Sequence, residues 1–148
     1  ADTIVGASVS PNVVDGGSGA DDITGGTAAD RLWGGSGNDI IDANGGNDVL
    51  QGGDGADKLE GGEDNDVICA GPAGDDDDLM GADGTGNNDP DTLFAFPFGY
   101  GSNPGIQGNS TSADSCSVIF GGASSVWAGP ACAYGFQGSE PLTCLSLF

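Results

Sequence analysis

The most regular feature of the chain is one aliphatic residue that recurs every nine positions from residue 16 onward. The register is written directly as GGSGADDIT, GGTAADRLW, GGSGNDIID, ANGGNDVLQ, GGDGADKLE and GGEDNDVIC, followed by two longer units, AGPAGDDDDLM and GADGTGNNDPDTLF. The eighth position, or its equivalent in the longer units, is aliphatic in all eight: Ile23, Leu32, Ile41, Leu50, Leu59, Ile68, Leu79 and Leu93. Each unit is therefore predicted to contain a glycine-rich turn and a three-residue strand.

A single inward residue per unit cannot bury itself, so the pattern predicts a stacked array. Two units complete one coil, and each turn then lies over the turn two units away, at a strand spacing of ~4.8 Å. The aliphatic column is interpreted as core, in which each buried Leu or Ile contributes about 1.5–3 kcal/mol. We therefore expect an all-β stack of coils.

The sixth position is aspartate in all eight units, which places carboxylates in two ladders. One ladder holds Asp21, Asp39, Asp57 and Asp77, and the other holds Asp30, Asp48, Asp66 and Asp91. Carboxylates stacked this closely repel one another unless a cation lies between them, and the adjacent glycines allow carbonyl groups to turn toward the same point. Calcium tolerates six to eight oxygen ligands at irregular angles, whereas magnesium requires a near-ideal octahedron. The eight aspartates are thus the predicted ligands of several calcium ions; the competing interpretation is a solvated acidic face, which the strict register disfavours.

Composition narrows the function classes. The 148 residues include 30 glycines and carry a formal charge of −21, from 23 acidic and two basic residues, so a cation is needed to neutralise the chain and nucleic acid would be repelled. The chain has no histidine, which excludes imidazole zinc sites and mechanisms with a histidine base. Nothing singles out a carboxylate pair for glycoside hydrolysis. We predict that the protein is not an enzyme and has no membrane span, because no stretch approaches about 18 apolar residues.

The repeated units resemble the GGxGxDxUx calcium-binding repeat of the repeats-in-toxin (RTX) family. The resemblance is close over residues 16 to 69 and extends to Phe94 with insertions. It implies a right-handed parallel β-roll with calcium between successive turns, held by the position-six aspartates and turn carbonyls. The sequence departs from the pattern at Ala28 and Asp64, which replace the fourth-position glycine, and at Ala43 and Asn44, which replace the leading pair. Each departure weakens a predicted site, although Asp64 is also a candidate additional ligand.

The composition changes after Leu93, since 21 of the 23 acids precede that point and nine of the ten aromatics follow it. We predict three regions: an N-terminal strand or cap at 1–15, the calcium-binding roll at 16–94, and a small cysteine-containing β cap or assembly segment at 95–148. Residues 94–100 place aromatics at alternate positions and are predicted to present one apolar face. This face is either a local core under the C-terminal cap or a contact surface for another subunit. Further short strands are predicted at 117–120, 124–128, 131–136 and 142–148.

Four cysteines, Cys69, Cys116, Cys132 and Cys144, form an even set without CxxC spacing. This favours two disulfides and an oxidising compartment over a zinc site. The C-terminal cap is therefore predicted to be tied by disulfides, and the pairing stays open among three alternatives. Cys69 occupies the last position of its repeat and is expected to point outward, where a bridge would fix the cap on the roll.

These observations predict a secreted, extracellular calcium-binding structural protein that self-associates as a filament, surface-layer or matrix subunit. A roll has two open ends that offer backbone hydrogen-bonding groups to another chain, and residues 1–14 and 94–100 are placed to join copies. A cell-surface or matrix polysaccharide is a second candidate partner. The alternative is a non-catalytic RTX module that assists the secretion, folding or adhesion of a larger secreted protein.

Overall fold

The computed structural model describes backbone and side chains for residues 1–71, 77–81 and 91–93, and the backbone alone for 94–95, 105–107, 116–121 and 132–137. Every regular element in these residues is a β-strand. The strands are β1 (Thr3–Val5), β2 (Val13–Ser18), β3 (Asp22–Gly26), β4 (Arg31–Ser36), β5 (Ile40–Asn44), β6 (Val49–Asp54), β7 (Lys58–Glu60), β8 (Val67–Cys69), β9 (Asp78–Met80), β10 (Asp91–Ala95), β11 (Gly105–Gln107), β12 (Cys116–Gly121) and β13 (Cys132–Gln137).

Consecutive strands alternate between two parallel sheets. Sheet A has the order β1-β3-β5-β7-β9-β11, and sheet B has the order β13-β12-β10-β8-β6-β4-β2. Neighbouring strands in a sheet are two repeat units apart, so Leu32 lies beside Leu50 and Leu50 beside Ile68. The prediction of an all-β array in which two units make one coil is therefore confirmed as a parallel β-solenoid.

The core is the predicted aliphatic column. All eight position-eight residues are buried, none with more than 1% of its surface exposed. Ala43 and Ala70, which stand where other units have their first glycine, are buried in the same cluster. Ile4 and Val14 pack against it but are only partly buried, because no further described strand covers them.

Residues 1–15 form the first coil of the solenoid. Thr3 pairs with Asp22 across β1 and β3, and Val13 pairs with Arg31 across β2 and β4. The predicted short strands thus lie in register with the repeats, as edge strands of the two sheets. The connection between them, GASVSPN, lacks the glycine pair of a repeat turn, so the repeat pattern did not include this coil.

The described strands of the C-terminal region continue both sheets. β12 lies parallel to β10, β13 is parallel to β12, and β11 is parallel to β9. β12 and β13 coincide with the strands predicted at 117–120 and 131–136. The strands predicted at 124–128 and 142–148, and residues 96–100 of the aromatic segment, lie outside the described residues.

Cys69 is the cysteine whose side chain the structure describes. Cys69 follows the inward Ile68 in β8, and none of its surface is exposed. Its outward orientation stays a prediction. The side chains of Cys116, Cys132 and Cys144 lie outside the described part of the chain, so the disulfide-tied cap stays a prediction.

Candidate metal centre

The turns use backbone conformations that favour glycine. In the third unit Gly35 and Gly37, at positions two and four, have φ values of 110° and 125°, a region that side chains disfavour. Asn44 and Asp64 replace glycine at these two positions in other units and keep the conformation, with φ values of 73° and 75°. The turn is therefore preserved at both departures, which asparagine and aspartate tolerate better than most residues.

The structure stacks the eight position-six aspartates in the two predicted ladders, and all of them are buried. Hydrogen bonds link each ladder in one direction, because the backbone N–H of one aspartate donates to Oδ1 of the aspartate one coil later. In the first ladder Asp21 N donates to Asp39 Oδ1 at 2.8 Å. In the second, Asp48 N donates to Asp66 Oδ1 at 2.9 Å. One oxygen of each of these carboxylates is thus held by the preceding coil.

The second carboxylate oxygen lacks such a partner at several positions. Oδ2 of Asp21, Asp39, Asp48 and Asp66 is buried without a hydrogen-bond donor. A buried charged oxygen left unpaired is strongly unfavourable. These oxygens therefore require either a bound proton or a cation, and a calcium ion fits because its preferred ligands are carboxylate and carbonyl oxygens.

Carbonyl oxygens approach the same region from the next coil. A Cβ placed on Gly16 would lie 3.0 Å from Asp21 Oδ2 and 2.6 Å from the carbonyl oxygen of Gly34. The first glycines of later units, such as Gly61, have the same two neighbours, a carboxylate oxygen of their own unit and a carbonyl oxygen one coil later. The missing side chain thus leaves room for oxygens from two successive coils to converge. Among the residues with described side chains no three acidic or cysteine side chains cluster around a metal position, so a calcium site at these turns would include backbone carbonyls.

Residues 15–50 and 42–75 match the family model of the RTX calcium-binding nonapeptide repeat, with four copies. Residues 15–75 thus carry repeats of the RTX calcium-binding type. The match confirms the resemblance and identifies calcium as the ion that the family's repeats bind. Neither the curated proteins nor the solved structures contain a match to the chain. In the portion of the chain that the structure describes, no helix is long and apolar enough to cross a membrane.

Burial raises the pKa of three aspartates in the ladders. Burial raises the pKa of Asp48 to about 7, partly offset by the N–H of Asp30, and the carboxylates of Asp30 and Asp64 raise it further. The same cause raises the pKa of Asp66 to about 9, again offset by a backbone N–H and increased by neighbouring carboxylates. The pKa of Asp39 is also raised by burial. In the absence of a cation, burial thus shifts the equilibrium at these three positions toward the protonated acid.

The structure adds two residues to the ladders that the repeat pattern did not include. Asp2 and Asn12 occupy position six of the first coil, since their N–H groups donate to Oδ1 of Asp21 and Asp30. A sequence signal for Asn12 did exist, because Asn12 and Val14 lie nine residues before Asp21 and Ile23. The role of the eight predicted aspartates as calcium ligands stays a prediction, as does the added role of Asp64.

Proposed function

We propose that the protein is a secreted structural protein that calcium folds and that associates end to end as a filament, surface-layer or matrix subunit. Calcium ions between successive turns would be held by position-six aspartates of the two ladders and by turn carbonyls. The observation that supports the assembly is the open N-terminal end of the roll. β1 and β2 are edge strands, and edge strands pair readily with another chain.

The same end is unusually apolar. Among the described side chains, the large hydrophobic residues that are exposed are Val5 (72%), Val9 (80%), Val13 (84%) and Ile40 (50%), and three of these four belong to the first coil. The inward Ile4 and Val14 are also incompletely covered. A further coil placed on this end would bury apolar surface and complete the backbone pairing of two strands.

Calcium would have to bind before copies could meet. Two arrays that each carry the unneutralised acids of residues 1–93 would repel one another, and each bound calcium removes two units of that charge. Assembly is therefore expected to require both calcium and the first coil.

The alternative is a non-catalytic RTX module within a larger secreted protein, where it assists secretion, folding or adhesion. The restriction of the family match to residues 15–75 supports this alternative. In that case another segment of the same chain would cover the open end, and no copies would join.

Electron microscopy and light scattering in millimolar calcium test the two functions. The protein should form filaments that disappear in chelator and in a variant with Val5, Val9 and Val13 changed to Ser. An Ile40→Ser variant is the matched control, because it removes an exposed aliphatic residue from the middle of sheet A. Monomers at every calcium and protein concentration would contradict the filament and favour the module; equal loss in both variants would contradict a role of the first coil.

We also infer that residues 95–148 are tied to the roll, residues 16–94, by disulfides whose pairing the strand register limits. Cys69 pairs with Phe94, and Phe94 pairs with Ile119. Cys116 is therefore two strands across and three residues along from Cys69, at a Cα separation of roughly 14 Å, and Cys132 is one strand farther, at roughly 17 Å. Disulfides join Cα atoms that are usually no more than about 6.8 Å apart.

Neither of these cysteines lies within reach of Cys69, which supports a Cys69–Cys144 bridge. Cys116 and Cys132 are direct register partners, at the ~4.8 Å spacing of neighbouring strands, which suits the second bridge. Peptide mapping of the unreduced protein should recover these two linked pairs and no alkylated cysteine. Recovery of Cys69 linked to Cys116 or Cys132, or of any free thiol, would contradict the pairing.

A further inference from the structure

Asp30, the first aspartate of the second ladder, differs from Asp48 and Asp66 in its hydrogen bonds. Asp48 and Asp66 each have an Oδ2 without a hydrogen-bond partner, but both carboxylate oxygens of Asp30 are occupied. Its Oδ1 accepts the N–H of Asn12 at 2.7 Å and the Nδ2 amide of Asn12 at 2.9 Å. Its Oδ2 accepts the N–H of Gly26 at 2.8 Å.

The contacts of Asn12 extend this arrangement into the first coil. Asn12 Oδ1 accepts the N–H of Ala7 at 2.7 Å, and Asn12 Nδ2 also donates to the carbonyl oxygen of Ala7 at 3.1 Å. One amide therefore links the start of the 7–12 connection to the carboxylate of the next coil. An aspartate at this position would instead bring a second negative charge against Asp30.

The other ladder lacks this arrangement. Its first aspartate, Asp21, accepts the N–H of Asp2 at Oδ1, but its Oδ2 has no donor and is buried. At the N-terminal end of the roll the two ladders thus differ in their hydrogen bonds. Asp30 accepts the amide of Asn12 and the N–H of Gly26, and Asp21 Oδ2 accepts no hydrogen bond.

We propose that Asn12 closes the second ladder without metal: its amide occupies Asp30 with hydrogen bonds, so that Asp30 is a structural residue and not a calcium ligand. The first coil is then attached on this side without an ion of its own. Asn12 acts as a positioning residue that sets where the row of calcium ions begins. This inference rests on the proposed calcium role of the inner aspartates.

The matched test compares Asp30→Asn with Asp48→Asn in the full chain, by calcium stoichiometry from equilibrium dialysis. The same substitution on adjacent members of one ladder should remove at least one ion from Asp48→Asn and none from Asp30→Asn. Equal losses in the two variants would overturn the inference. No loss in either variant would instead contradict the proposed ladder ligands, and with them the inference that rests on them.

A second variant keeps the test decisive if Asp30→Asn does not fold. Asn12→Asp should gain one calcium ion, because it places a carboxylate against Asp30 and so extends the arrangement of the inner ladder aspartates to the first coil. Hydrogen exchange of residues 7–15 should then depend more steeply on calcium concentration than in the unmodified protein. Unchanged stoichiometry together with unchanged exchange in this variant would overturn the inference.

Discussion

The first coil and the RTX coils that follow have the same path but different chemistry. Residues 16–71 form their coils with glycine-rich turns and stacked carboxylates. Residues 1–15 form theirs without a glycine pair and with Asn12 in place of one aspartate. The features that both regions share are an inward aliphatic residue per strand and backbone pairing with the next coil. The comparison indicates that these two features define the coil, while the repeated aspartates and glycines are the features through which we expect the array to bind calcium.

Removal of calcium is expected to have the largest effect on this comparison. Without the ion, unpaired buried carboxylates oppose folding of the array, and the first coil loses the strands on which it packs. Circular dichroism should show a disordered chain in chelator and β structure after calcium is restored. Equal β content in both conditions, with the disulfides reduced, would mean that the array needs the ion no more than the first coil does.

The second largest effect is expected from core substitutions, which should destabilise the array more than the first coil. Ile41→Ala removes a completely covered side chain and is expected to cost about 2–5 kcal/mol. Ile4→Ala, the same change on the same sheet, should cost only about 1 kcal/mol, because Ile4 is already partly in water. Urea unfolding in saturating calcium measures both. Equal costs would show that the first coil is packed as tightly as the array.

The sequence was most informative where one spacing repeats without interruption. The inward column and the membership of both ladders followed from the period of nine, because Leu50 and Asp48 can occupy only one place in a stacked coil. The first coil was missed because its turn has no glycine pair, and the link from Asn12 to Asp30 depends on a register that only the folded chain shows. The parallel attachment of β12 and β13 could not be predicted, since Cys116 and Cys132 are 16 residues apart and break the period.

Within the array, loss of an interior aspartate should weaken calcium binding more than loss of an aspartate at the end of a ladder. Asp48→Ala and Asp57→Ala are each expected to raise the calcium midpoint about tenfold, equivalent to about 1.4 kcal/mol, because an interior loss interrupts coupling to two neighbouring coils. Asp21→Ala lies next to the first coil and should raise it only a few-fold. Calcium titrations that gave one midpoint for all three variants would contradict a nearest-neighbour array.

The smallest expected effect is on the pH dependence of the metal-free protein. The folded pKa values of Asp48 and Asp66, about 7 and about 9, lie above the ordinary 3.8. Between the ordinary pKa and the raised pKa of each aspartate, the folded chain therefore binds more protons than the unfolded chain. Their contribution to stability is therefore complete below about pH 4 and is lost as the pH rises toward 9. Residual β content of calcium-free protein should be highest in acid and should fall through this range. An Asp66→Asn control should flatten the upper part of the curve, and a rise toward alkaline pH would contradict the assignment.

The one-way hydrogen bonds of the ladders give the roll a polarity. Because each position-six N–H donates to the carboxylate one coil later, a stack broken between coils exposes side-chain acceptors on its later piece and N–H donors on its earlier piece. When one copy is translated along the roll axis, with or without a rotation about it, its donor end meets the acceptor end of the next copy. Two like ends are not complementary, since a two-fold axis would set acceptor against acceptor. Any filament built by this protein should therefore be polar, with every subunit pointing the same way and growth at its two tips chemically distinct.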